Sequence, residues 1–174
     1  PADFASRNPV SCDNPECCAT CNFATDLDTS VVMSVSTADI LSGSASLPFI
    51  NRKAWAKTQS ESYDLRRTKA HLTQGTRPSH KETSIKAVKQ YLNRVTLASD
   101  GLIVFNRTDP FSPPRECIVV PRDILHGLVM ALHLRLGHPS TNEMSKVFKR
   151  YFWAINMDEA LSLIHISEPT RQLC

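Results

Sequence analysis

A chain of 174 residues has room for one modest domain, or a small domain with long flanks, around a single sizeable core. No stretch reaches the roughly 18 apolar residues that span a bilayer, and the start has neither a basic nor an apolar leader region, so the sequence predicts no membrane partner and no secretory signal. The net charge of +3 is small, but residues 51–100 carry eleven basic and four acidic side chains against one and six in residues 1–50, which places the positive charge where it can attract a polyanion or simply be solvated.

In chain order, the cysteines come first. Four of the six crowd into Cys12, Cys17, Cys18 and Cys21, leaving Cys117 and Cys174 remote. Soft thiolates at these spacings are able to hold zinc, although adjacent Cys17 and Cys18 point in different directions and no histidine is near; reduced free thiols and disulfides stay open beside that reading. Residues 25–50 are polar, and the run Ser42-Gly43-Ser44-Ala45-Ser46 has little to bury and reads as linker. From Asn51 to about Lys69 the composition predicts a helix with sparse apolar anchors at Trp55, Tyr63 and Leu65.

Gly75-Thr76-Arg77-Pro78 interrupts, and Ser79 with Glu82 has the form of a capping box opening an amphipathic helix over 80–96, on the spacing of Ile85, Val88, Leu92 and Val95. Leu102–Phe105 and Cys117–Val120 read as two short strands of a hairpin about a Pro-rich turn. Residues 122–135 are a predicted helix with an apolar stripe, interrupted at modest cost by Gly127. Ser140 and Glu143 form a second capping-box pattern, starting a helix marked by Met144, Val147, Phe148 and Tyr151.

Between those two helices stands His133-Leu134-Arg135-Leu136-Gly137-His138-Pro139. A structural zinc site wants four ligands in tetrahedral array, and two imidazoles on either side of a helix end approach one point when a glycine turn intervenes. The bland alternative makes His133 a helix-face residue and His138 a turn residue; Gly137, Pro139, the capping box and Tyr151-Phe152-Trp153 together favour the metal. His126, in the same helix, is expected to be packed or half-exposed.

These residues carry a resemblance. Pro121–Leu125, Ala131–Ser140 and Lys149–Trp153 together resemble the amino-terminal His-His-Cys-Cys zinc-binding domain of integrases encoded by long-terminal-repeat retrotransposons. The resemblance implies that His133 and His138 are the histidine ligands and that a Cys-x-x-Cys should follow a short distance after Met157-Asp158, where none occurs. Pro1-Ala2-Asp3-Phe4-Ala5-Ser6-Arg7 resembles the end of the ribonuclease H domain of such polyproteins, which would make Asp3 a stranded carboxylate of a two-metal site that needs several. Trp55, Gln59, the Leu72 to Gly75 region, Tyr91-Leu92 and Asp100–Leu102 resemble the connector between them, and the cysteine-rich opening fits the Pao or BEL-like branch. From Ser162 onward the chain departs from the family, and Ser162–Gln172 resembles translated sequencing adapter. His165 and Cys174 are therefore not recruited as ligands.

The expected fold class is mostly α: a small helical zinc-binding module preceded by a short β-hairpin and a partly disordered connector. The expected divisions are 1–24 for the end of ribonuclease H and the cysteine-rich segment, 25–100 for the connector, 101–161 for a truncated integrase zinc domain and 162–174 for a non-native tail. The implied function is that of a Pol polyprotein fragment whose zinc domain supports multimerisation and DNA-end binding during integration, in nucleus or cytoplasm, with Zn2+ in the intact domain and weak or absent binding here. Its partners would be DNA and other integrase chains, and the fragment itself would turn nothing over. A zinc-binding interaction module derived from such an element is the second reading; an enzyme with Cys117 as nucleophile and His133 or Asp123 as base is a third.

Overall fold

The computed structural model describes residues 35–79, 85–110 and 113–166. Ser36 accepts a hydrogen bond from the Ala38 amide and starts α1 (Thr37–Ser42), which ends at Gly43 in the left-handed region. Asn51 caps α2 (Arg52–Glu61) in the same way, through the Lys53 amide. Where one helix is predicted from Asn51 to Lys69 there are two: Ser62 is extended and serves both as the end of α2 and the start of α3 (Tyr63–Gln74). The break lets Trp55 and Gln59 of α2 and Leu65 and Thr68 of α3 all become buried, while Tyr63 stays exposed. Of the helix predicted over 80–96, the described part is α4 (Lys86–Leu92), packed on α3; Glu82 of its capping box lies outside the described residues.

The hairpin forms as β2 (Ile103–Arg107) and β3 (Arg115–Val119), antiparallel with Phe105 opposite Cys117. A two-residue β1 (Thr96–Leu97) pairs antiparallel with the outer side of β2. After β3 come α5 (Arg122–Arg135) and α6 (Thr141–Tyr151), both where the periodicity puts them, and then β4 (Phe152–Trp153), which returns parallel to β3. Parallel neighbours need a crossover of a dozen or more residues, and the α5–α6 pair is that crossover. The sheet order is β1-β2-β3-β4, and α7 (Met157–Ile166) closes the described chain against α5 and α6.

One core cluster gathers residues from Ile40 to Leu161. Its aromatic centre crosses elements: Trp55 meets Phe152 with ring centroids 5.5 Å apart, Phe152 meets Phe148 at 5.3 Å, and Trp153 stacks on Phe105 at 5.1 Å. Each such side chain, fully buried, contributes on the order of 1.5–3 kcal/mol. Arg150 ties α6 to α1 by donating to the Leu41 carbonyl at 2.6 Å. At the Ile103 end of the hairpin Gln59 acts as an extra rung: Nε2 donates to the carbonyls of Ile103 (2.9 Å) and Val119 (2.8 Å), and Oε1 accepts from the Ile103 amide (2.8 Å).

The expected fold class is therefore corrected. The protein is a mixed α/β fold with a four-stranded sheet, in place of a small helical zinc module behind a hairpin and a loose connector. The physical reason is twofold. Ile40, Leu47, Phe49, Trp55 and Leu65, too widely spaced to form an obvious stripe, are all drawn into the core that also holds Leu128 and Phe148, and the run Ser42–Ser46 is the turn between two of those contributors. Phe152-Trp153 completes the sheet by parallel pairing, a long-range contact that local pattern cannot show. Among the described residues no group of three or more His, Cys, Asp or Glu side chains is placed to hold a metal ion.

Candidate metal site

The end of α5 builds the histidine pair. The His138 amide donates to the His133 carbonyl at 2.9 Å, and the Gly137 amide to the Leu134 carbonyl at 3.2 Å. These are the two bonds of a Schellman ending, with Gly137 at φ 71° in the position that requires left-handed backbone. In that motif the side chains at its first and sixth positions touch, usually as two apolar groups. Here the two positions are His133 and His138, so the spacing of four intervening residues is what the turn itself brings together. His138 is also left-handed, at φ 59°, a conformation that costs a residue with a Cβ about 1–2 kcal/mol.

His133 is 5% exposed and His138 half-buried. Nδ1 of His138 lies 3.1 Å from Nε2 of His133, with the rings nearly perpendicular at 88°. Two nitrogens bound to zinc at ~2.0–2.1 Å in a tetrahedron are about 3.3 Å apart, so the pair has close to the separation of two corners. Without a cation the same geometry suits one proton shared between the rings, donor and acceptor being set by tautomer. The pair thus fits half of a zinc site.

Nearby carboxylates do not extend it. Glu143 is spent on the start of α6: its Oε2 accepts from the Ser140 amide at 3.0 Å and the Ser140 hydroxyl at 2.8 Å, while its own amide donates to Ser140 Oγ, a complete capping box. Those bonds from Ser140 hold the Glu143 carboxyl below the usual range. His126 is exposed, and its position seven residues before His133 puts it about 10 Å away along α5.

Cys117 is fully buried on β3, its Sγ against the Lys149 and Arg150 carbonyls at 3.7 and 3.8 Å. Burial pushes its thiol up, which is the opposite of an activated nucleophile. Of the two alternative bases, Asp123 stands in the first turn of α5 and His133 in its last.

Asp3, Cys12, Cys17, Cys18, Cys21 and Cys174 lie outside the described residues. Among the described residues no helix is long and apolar enough to cross a membrane. The residue that sequence reasoning passed over is Gln59, quoted only within a resemblance; a glutamine four residues after Trp55, on the same helix face, is the signal that was there. No family model matches the chain, and neither does any curated protein or solved structure.

Proposed function

We propose that this chain is part of a retrotransposon Pol polyprotein of the Pao or BEL-like kind, in which His133 and His138 supply half of an integrase-type zinc site serving multimerisation and DNA-end binding. The observation that carries the reading is the approach of two imidazole nitrogens to 3.1 Å at a preformed helix end. The packing of α7 on both α5 and α6 supports it, because it brings the chain from Met157, after which the resemblance places the cysteine pair, onto the two helices that flank the histidines. Zinc bound there would cross-link the end of α5 to that later chain; the protein's own part is to hold the two rings at the tetrahedral spacing.

The experiment is a competitive cobalt and zinc titration of the chain as it stands, of an extended version in which a segment with a Cys-x-x-Cys replaces the residues from Ser162 onward, and of the extended version carrying His133→Ala. The extended version should bind on the order of 100-fold or more tighter than the other two and show the charge-transfer band of cobalt-thiolate coordination. Equal affinity with and without the added cysteines overturns the ligand assignment. Binding of a labelled duplex by the extended protein, with and without zinc, then tests the DNA role.

A further inference from the structure

A cleft of about 530 Å³ opens between the end of α4 and the segment joining β4 to α7, lined among others by Gln90, Asn93, Arg94, Asn156 and Asp158. A second, of about 240 Å³, adjoins it through Gln90 and Asn156 and adds Lys86 and Arg122. The two form one groove alongside α4. Its polar lining is unequal in sign: three cations against Asp158, whose carboxylate is already paired with Lys149 Nζ at 2.7 Å. Lys86, Arg94 and Arg122 are all exposed, and among the described residues none of the three forms an ion pair. Three like charges brought to one groove whose carboxylate is paired elsewhere repel each other, and an anion relieves that repulsion. The carboxamides of Gln90, Asn93 and Asn156 add donors between them.

From this we infer that the groove holds the phosphate backbone of a nucleic-acid strand. Lys86 opens α4 and Arg94 lies in the turn just beyond its end, so the length of the helix, about 10 Å by its rise, stands between them, too far for one phosphate to satisfy both. That separation matches about three nucleotides of a stacked strand at ~3.4 Å of axial rise per step. Contacts of this sort position a strand without reading its sequence. Trp153, also in the lining, is only 6% exposed and stacked on Phe105, so it offers no ring face for a base. The inference takes its polymeric partner from the proposed function but stands on residues separate from the histidine pair.

The test uses the full chain and a fluorescent single strand of about 20 nucleotides, followed by anisotropy over a potassium chloride series. Lys86→Gln/Arg94→Gln/Arg122→Gln should lower affinity roughly 10-fold or more at low salt and reduce the slope of log affinity against log salt by about 2. A charge-matched control, Lys53→Gln/Arg66→Gln/Lys146→Gln, also neutralises three exposed cations and should change the slope by less than half as much. All six positions are exposed, so circular dichroism should show both variants folded. Equal losses in the two variants, or no binding by the unaltered chain, overturn the groove. Displacement by millimolar inorganic phosphate beyond the effect of matched chloride would mean that a single phosphate group is the ligand, and also overturns it. An EDTA arm separates this from the zinc reading: binding that survives EDTA and falls with the groove variant sustains the groove even where the histidines hold no metal, while loss on EDTA alone overturns it.

Discussion

Gln59 and His133 are both buried polar side chains in an apolar interior, 4% and 5% exposed, yet they are committed in opposite ways. Gln59 gives its amide to three backbone groups of β2 and β3, and nothing is left over for a ligand. His133 faces a second side chain of its own kind, held 3.1 Å away by a turn whose bonds are all backbone. Burial of a polar group is therefore not in itself a functional signal; what it faces is. A group facing main chain is a fastener, whereas His133 faces a second imidazole across a hydrogen-bond distance.

Of the two neighbourhoods, the one around α2 is the more sensitive to substitution. Trp55→Ala should destabilise by about 3–5 kcal/mol in urea denaturation, because it empties the ring contact with Phe152 and removes the 2.6 Å bond to the Phe49 carbonyl. Gln59→Leu comes next, at about 3 kcal/mol: a side chain of similar size leaves the Ile103 amide and two carbonyls buried without their partner, at ~1–3 kcal/mol for the worst of them. A loss under 1 kcal/mol would show that the hairpin closes without its extra rung. On the other side, Gly137→Ala should cost only about 1 kcal/mol, since a Cβ there meets nothing within 4 Å and the penalty is purely that of the left-handed backbone. In the cysteine-extended protein it should nevertheless weaken zinc binding at least as much as it weakens the fold, because it alters the approach of the rings.

His138→Ala should cost only about 0.5 kcal/mol of thermal stability, because alanine keeps the Cβ and with it the left-handed penalty, and all that goes is one ring contact at a half-buried position. A large loss would make the pair a fastener like Gln59. The smallest effect lies at the surface, where Arg52 bonds Asp100 through Nε at 2.6 Å and Nη2 at 3.1 Å and holds that carboxyl down to about 2. A lowered folded-state value means the contribution is present above the ordinary carboxylate range near 4 and is lost as pH falls toward 2. Arg52→Gln should return the Asp100 titration, read by NMR, toward the ordinary range, with little change in stability at neutral pH.

The legible part of the sequence was what repeats locally. The capping box at Ser140 and Glu143, the stripe of α5, the hairpin strands and the glycine turn at 137 each rest on neighbours within a few residues, and the structure has all of them. What escaped was long-range: Ile40 and Trp55 reaching the same core as Phe152, and β4 returning beside β3. Isolated apolar residues in a polar stretch carry no period, so their burial depends on partners a hundred positions away. At the candidate site the two histidines could be named from spacing, but the reason they meet, a Schellman ending with imidazoles where apolar groups usually sit, needed the backbone. The cationic groove was hidden for the same reason, since Arg94 and Asn156 share it only after the crossover has been made.

The parallel return of β4 has a consequence for how the protein comes into being. Strand β3 finds its last neighbour only after the 32 residues from Val120 to Tyr151 have been made and folded into two helices. During synthesis α2 can reach the hairpin through Gln59 once residue 119 is made, but Trp55 lacks the ring of Phe152 until that residue has cleared the ribosome, so the aromatic centre of the interior sets last. A nascent chain halted before Phe152 would expose the indole of Trp55 and the outer edge of β3 to whatever chaperone or like chain came first.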